Sequence, residues 1–285
     1  MPADLRSTYL TCAEGRLHVY TAGGHGPAVL LLSGAGIDNA LLSWRHLIPA
    51  LAAHHRVFAL DWPKQGRSLP WTGRVTHDRM LRCVTEVLDH FAIDSAVLVG
   101  LSQGGALALA YAIDHPARVE RLVALAPAGI ISFPPVVHQI LWLTAGLPLL
   151  NRTLPSLMLR SRAGIARFAE RALFAGPVHD FEDIVDEIHA EVRAAGAGSS
   201  DWQNASIGPF RMRIDLRPRL HLITCPTLLI QGDKDIGVKL RHTRAAAALI
   251  PDARLEILEG NGHWSNRQSP DRVNALVAEF LGPPH

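Results

Sequence analysis

Apolar positions along this chain arrive in two rhythms. Short, nearly unbroken Leu- and Val-rich runs occur at Ala28–Ser33, Arg56–Asp61, Ala96–Gly100, Arg121–Ala126, Thr227–Gln231 and Arg254–Leu258. Such runs predict strands covered on both faces, as in a parallel sheet. Between them the spacing turns helical. Trp44, Leu47, Ile48 and Leu51 share one helical face, as do Met80, Leu81, Val84, Val87, Leu88 and Phe91, and near the end Val273, Leu276, Val277 and Phe280. Ahead of all these, Ser7–Cys12 and Arg16–Thr21 are β-branched and aromatic runs split by Ala13-Glu14-Gly15, which predicts a hairpin. Alternation of strand and helix after a hairpin predicts an α/β fold: a mostly parallel sheet of eight strands, antiparallel at its N-terminal end, with helices on both faces.

The alternation stops between about Gly129 and Pro218, where helical periods continue without strands. In Phe181–Arg193, for example, Ile184, Val185, Ile188 and Val192 oppose Glu182, Asp183, Asp186, Glu187 and Glu191. Three segments follow: core residues 1–128, a helical insertion over 129–218, and core residues 219–285. An insertion at that place is expected to cover the carboxyl ends of the strands, where open α/β sheets bind ligands. The most apolar window, Phe133–Leu150, contains Pro134, Pro135, His138, Gln139 and Pro148 and is too short and too interrupted to span a bilayer. It reads as a helical flap lining an oily pocket, so no stable membrane insertion is expected.

Composition narrows the function class. With 285 residues, 48% of them hydrophobic, the chain can bury a large core without disulfides or metal. The net charge of +2 is dispersed, which argues against a nucleic-acid partner. Cys12, Cys83 and Cys225 are odd in number and widely spaced, suggesting reduced thiols, and no secretory pattern is visible in Met1-Pro2-Ala3-Asp4, so a cytoplasmic location is expected. His54-His55 reads as a surface pair and His-Glu-x-x-His does not occur, so neither metal nor cofactor is expected. Edge strands and the insertion could each form a dimer surface, leaving a homodimer open.

The chemistry concentrates at three turns. The run Ala96–Gly100 passes into Gly100-Leu101-Ser102-Gln103-Gly104 and then a helical Ala-Leu stretch. Strand, Gly-x-Ser-x-Gly, helix is the pattern of a nucleophile elbow, in which a sharp turn lifts the serine hydroxyl above the sheet edge. A serine hydroxyl needs a base, and the base needs an orienting acid. His263, in Gly260-Asn261-Gly262-His263-Trp264 after the last strand, is the candidate base. Asp233 and Asp235 both follow Thr227–Gln231; Asp235 is favoured because it has room to swing toward the histidine loop, whereas Asp233 suits a bond to the turn backbone. No carboxylate is available in Pro127-Ala128-Gly129. Oxyanion donors are expected from the backbone N–H groups of Gln103 and of Ala35 in Ser33-Gly34-Ala35-Gly36.

These residues and their chain order, Ser102, Asp235, His263, resemble the α/β-hydrolase superfamily over nearly the whole length. That resemblance implies a serine hydrolase with a helical cap, acting on an acyl bond of a small, apolar substrate. The segment Asp61-Trp62-Pro63-Lys64-Gln65-Gly66-Arg67-Ser68 is similar to the family's Asp-x-Pro-Gly-x-Gly-x-Ser with Lys64 where glycine is common, which puts a cation near the pocket mouth. Ser33 stands where the family's oxyanion loop usually has histidine. The same triad in relatives supports ester hydrolysis, carbon–carbon hydrolysis, acyl transfer or cofactor-free haloperoxidase chemistry, and some members of the superfamily are ligand-binding receptors. A serine nucleophile disfavours the carboxylate-nucleophile dehalogenases and epoxide hydrolases.

Overall fold

The computed structural model describes residues 4–147 and 149–282, apart from the side chain of Arg152; Met1–Ala3, Pro148 and the last three residues lie outside that description. Eight strands form one sheet in the order β1-β2-β4-β3-β5-β6-β7-β8. They are β1 (Arg6–Cys12), β2 (Gly15–Ala22), β3 (Ala28–Leu32), β4 (Arg56–Asp61), β5 (Ala96–Leu101), β6 (Val119–Leu125), β7 (Thr227–Gly232) and β8 (Ala253–Leu258). β1 pairs antiparallel with β2 and β2 with β4; every other pairing is parallel.

Because side chains alternate across a strand, the unbroken apolar runs feed two cores at once. On β3, Leu30 and Leu32 join the layer under α3 (His77–His90) and α4 (Gln103–Asp114). Val29 and Leu31 join the layer under α1 (Ala40–Trp44), α2 (Leu47–Ala52) and α12 (Pro270–Leu281). The apolar face expected as one helix through Trp44 and Leu51 is thus two, since Asn39 caps α1 by accepting the Leu42 N–H at 2.9 Å and the chain turns again before α2. β8 also departs from the buried-strand reading. It is the sheet edge, only Leu258 is fully buried, and Arg254 bridges Glu256 and Glu279 along it. His55 differs from the surface reading too: it is buried, while His54 is exposed.

Between β6 and β7 lie α5 (Pro135–Ala145), a π-helical turn (Leu149–Thr153), α6 (Leu154–Met158), α7 (Arg162–Phe168), α8 (Phe181–Ala195) and α9 (Asp201–Ser206). α8 sends Ile184, Val185, Ile188 and Val192 into the same core as α1, α2 and α12, and of its acidic residues Glu182, Asp183 and Asp186 are exposed while Glu187 and Glu191 are half-buried. β7 leads to α10 (Leu240–Ala247), and β8 leads through the short α11 (Ser265–Gln268) to α12. None of the described helices is long and apolar enough to cross a membrane.

Candidate active site

β5 ends inside the sheet and α4 starts one residue later, so Ser102 must reverse the chain direction alone. It does so at φ 53° and ψ −111°, a conformation that is costly for a residue with a side chain. Its own N–H donates to the Leu125 carbonyl at 2.9 Å, and its carbonyl accepts from Ala106 and Ala128, each at 2.9 Å, which clamps the turn between β6 and α4. The flanking glycine is a matter of space. A Cβ on Gly104 would stand 2.1 Å from the Leu32 carbonyl oxygen, so any side chain there would push α4 off β3.

Asp235 and His263 come from the last two strand ends, after β7 and β8. Asp235 is buried and accepts at one oxygen from the N–H groups of Gly237 (2.7 Å) and Val238 (3.0 Å). At the other it meets His263 Nδ1 (2.7 Å) and accepts from Gln231 Nε2 (3.0 Å). Gln231, itself held by Thr243 at 2.6 Å, therefore aims the carboxylate. Burial works to raise the Asp235 pKa, but the bonds from His263, Val238 and Gln231 and the attraction of the imidazole outweigh it, and the carboxyl stays below the usual aspartate value. Asp233 instead accepts the Gly260 N–H at 2.7 Å and pairs with Lys234. With Nδ1 committed to Asp235, the other imidazole nitrogen is free to serve the cavity.

Ser102, His263 and Ala35 line one cavity of about 560 Å³. Its floor is the strand-end loops; its far wall is the helical insertion, including Asn151, Pro155, Ser156, Leu159 and Phe168. Gln103 is buried directly after Ser102 at the start of α4. The loop Ser33–Gly36 is held by groups that the sequence reading passed over. Asp38 Oδ2 accepts the Gly34 N–H at 2.6 Å and the Ser43 hydroxyl at 2.5 Å, while its other oxygen accepts the Asn39 N–H at 2.8 Å. Trp62 Nε1 donates to the Ser33 carbonyl at 2.9 Å and Gln65 Nε2 to the Gly36 carbonyl at 3.0 Å. Thus Trp62 and Gln65, from the segment after β4, fix the two ends of this loop. Burial pushes the Asp38 carboxyl up to about 6, against those three hydrogen bonds and the Arg267 charge.

The insertion is tied to these loops. Ser199 forms an isolated antiparallel bridge with Gly36, and a Cβ on Gly198 would collide with the Gly36 carbonyl oxygen. Lys64, at φ 66°, is not at the cavity wall; its Nζ meets Asp201 of α9 at 2.7 Å. The positive φ gives the reason glycine is easier there. Arg267, fully buried four residues after His263, donates to the Leu42 carbonyl at 2.7 Å and to Glu187 of α8 at 3.1 Å, and Arg45 also pairs with Glu187.

The model of the alpha/beta hydrolase fold matches residues 27–270, which takes in all of the groups above. The chain belongs to the alpha/beta hydrolase fold family. This hydrolase is 29% identical to a 2-hydroxy-6-oxo-6-phenylhexa-2,4-dienoate hydrolase from Burkholderia cepacia, with 93% of this chain and 91% of the relative covered. Among solved structures it is similar to a meta-cleavage product hydrolase from Pseudomonas fluorescens IP01 (25% identity, TM-score 0.75, 96% and 97% of the two chains). It is also similar to an enol-lactonase from Burkholderia xenovorans LB400 (25% identity, TM-score 0.73, 96% and 99% of the two chains). The alpha/beta hydrolase relatives thus include enzymes named for a dienoate, for meta-cleavage products and for an enol-lactone. Asp38, Trp62, Gln65, Gln231 and Arg267 escaped the sequence reading because each acts on another residue's backbone or carboxylate; the only trace in the chain is polarity inside otherwise apolar surroundings, as at Gln231.

Proposed function

We propose that this hydrolase cleaves carboxylic esters or lactones of small, uncharged, mainly apolar acids through an acyl-enzyme on Ser102. Ser102 Oγ attacks the acyl carbon and gives its proton to His263; the alkoxide oxygen of the substrate is received by the N–H groups of Ala35 and Gln103. His263 returns the proton to the departing alcohol, takes one from water as it attacks the acyl-enzyme and passes it to Ser102 Oγ as the acid leaves, while Asp235 holds the imidazole oriented and stabilises its charged form. The residues between β6 and β7 act as a cap that excludes bulk water. The observation that carries this reading is the convergence of a strained serine, a carboxylate-bound histidine and a backbone-rich loop on one cavity.

The same cavity favours a neutral substrate. Among its described lining side chains none is cationic, and Asp38 adds a carboxylate, so a dienoate would place a second negative charge beside it. Carbon–carbon hydrolysis is the competing reading, since the Burkholderia cepacia relative is named for 2-hydroxy-6-oxo-6-phenylhexa-2,4-dienoate, whose hydrolysis breaks a carbon–carbon bond. A fluorophosphonate probe and short-chain p-nitrophenyl esters, run on wild type and Ser102→Ala alongside 2-hydroxy-6-oxo-6-phenylhexa-2,4-dienoate, separate the two. Labelling at Ser102 with ester turnover, both lost in the variant, supports the esterase. Dienoate turnover exceeding that of every ester replaces it with the carbon–carbon hydrolase, and no labelling removes the serine mechanism.

A further inference from the structure

Helix α5 is turned inside out. Val136, Ile140 and Leu143, at helical spacing, are 73%, 55% and 57% exposed, and Leu147 continues the stripe. The face turned inward carries the polar residues: His138 is buried and bonds the Gly208 carbonyl at 2.8 Å, and Gln139 donates to that of Pro209 at 2.5 Å. The next elements repeat the arrangement. Leu154, Leu157 and Met158 of α6 are exposed, while Pro155, Ser156 and Leu159 of the same stretch face the cavity of Ser102. A contiguous apolar surface built from two successive elements exceeds what isolated exposed leucines produce and marks an interaction site.

Charge indicates the occupant. Between Glu120 and Glu170 the chain contains no Asp or Glu, but it has several arginines. At the edge of the apolar stripe, Arg74 and Arg213 line a surface hollow of about 310 Å³ together with Trp142, Leu143, Leu147 and Ile207. Neither arginine makes a salt bridge among the described residues. Downstream, Glu182 and Asp186 are both bound by Arg162, which removes them as bare charges. An apolar face, a tryptophan at its margin and unpaired arginines beside it are complementary to the surface of a bilayer containing anionic lipid: the aliphatic side chains enter the acyl boundary and the guanidinium groups meet phosphates.

We propose that α5 and α6 form a peripheral docking face for anionic lipid bilayers, which sets the wall of the Ser102 cavity against the membrane. This binding does not depend on Ser102 chemistry and is read without turnover. The test is co-sedimentation of the full chain with vesicles of phosphatidylcholine alone and with added phosphatidylglycerol, at low and high salt. Wild type is expected to sediment with the anionic vesicles, less as salt rises, and weakly with neutral ones. Arg74→Gln and Arg213→Gln should each lower partitioning roughly fivefold, the equivalent of about 1 kcal/mol per charge near a lipid surface. Ile140→Glu/Leu143→Glu should abolish it while leaving the circular dichroism spectrum unchanged, both positions being exposed. As a readout independent of that variant, brominated lipid should quench wild-type fluorescence more than that of Trp142→Phe. No sedimentation with anionic vesicles, or sedimentation that survives the double glutamate variant, overturns the proposal. So does a wild-type dimer by light scattering that the same variant converts to monomer, because the face then belongs to a second copy.

Discussion

Leu98 on β5 and Leu143 on α5 are the same residue in equally apolar stretches, yet the first has no exposed surface and the second exposes 57% of its own. Around Leu98 the sheet offers neighbours on both faces, so an unbroken apolar run is the only stable filling. Around Leu143 the insertion has one layer of helices over the strand ends, and α5 turns to that layer the two side chains, His138 and Gln139, that can satisfy the carbonyls of Gly208 and Pro209. The comparison teaches that apolar composition sets how much surface wants to leave water, while the polar groups of a neighbouring loop can decide which face of a helix does so.

The catalytic side of the comparison is expected to break hardest. Replacing Ser102 with glycine should lower ester turnover on the order of 10⁴-fold or more while raising stability by about 1 kcal/mol, because glycine tolerates the φ of 53° that strains serine. Kinetics and thermal melts of one protein preparation check both halves; a destabilised variant would show that the elbow is not strained. Asp235→Asn should reduce kcat by roughly 10³–10⁴-fold with a much smaller change in KM, since the wrong imidazole tautomer impairs proton transfer more than binding.

The packing side comes next. Leu98→Ala should cost about 2–5 kcal/mol, whereas Leu143→Ala should stay within about 0.5 kcal/mol; urea titration of the two variants decides, and equal costs would mean α5 is covered in solution. Asp38→Asn sharpens the loop between the two regions. Because burial places the Asp38 pKa at about 6, above that of an exposed aspartate, its contribution to stability is complete at low pH and is lost as pH rises through 6. Wild type should therefore gain about 1 kcal/mol relative to Asp38→Asn as pH falls from 7 to 5. A constant difference across that window would mean the carboxyl is already ionised throughout. The smallest effect is expected at Lys64→Gly, where a lost, partly exposed bridge to Asp201 worth at most about 1 kcal/mol is offset by relief of a φ of 66°.

Much of this was legible in the chain. The strand runs, the hairpin and the Gly-x-Ser-x-Gly turn follow from local pattern, since side-chain periodicity and turn sterics act over a few residues. Even the choice between Asp233 and Asp235 could be argued from reach, and the structure pairs Asp235 with His263. The support of the Ser33–Gly36 loop was less legible. Ser33 stands where the family usually has histidine, and Asp38 from the loop's own continuation and Trp62 and Gln65 from the segment after β4 hold it. Lys64 read as a cation near the pocket mouth, and its bond to Asp201 of α9, beside cavity-lining Ser200, could not be read from the chain.

The sequence by itself therefore determined the order of elements and the α/β class, and singled out Ser102, Asp235 and His263 as candidates, because those depend on short-range sterics and on which side chains exist. Only the tertiary structure decided that the strand ends bring Ser102 and His263 to one cavity, with Asp235 held behind the histidine, that a buried aspartate braces the Ser33–Gly36 loop, and that α5 shows its leucines to solvent. The first and last of these rest on contacts between residues far apart in the chain, and the periodicity of a single segment carries no information about its distant partner; Asp38 bonds within five residues, but its burial depends on the elements packed around it.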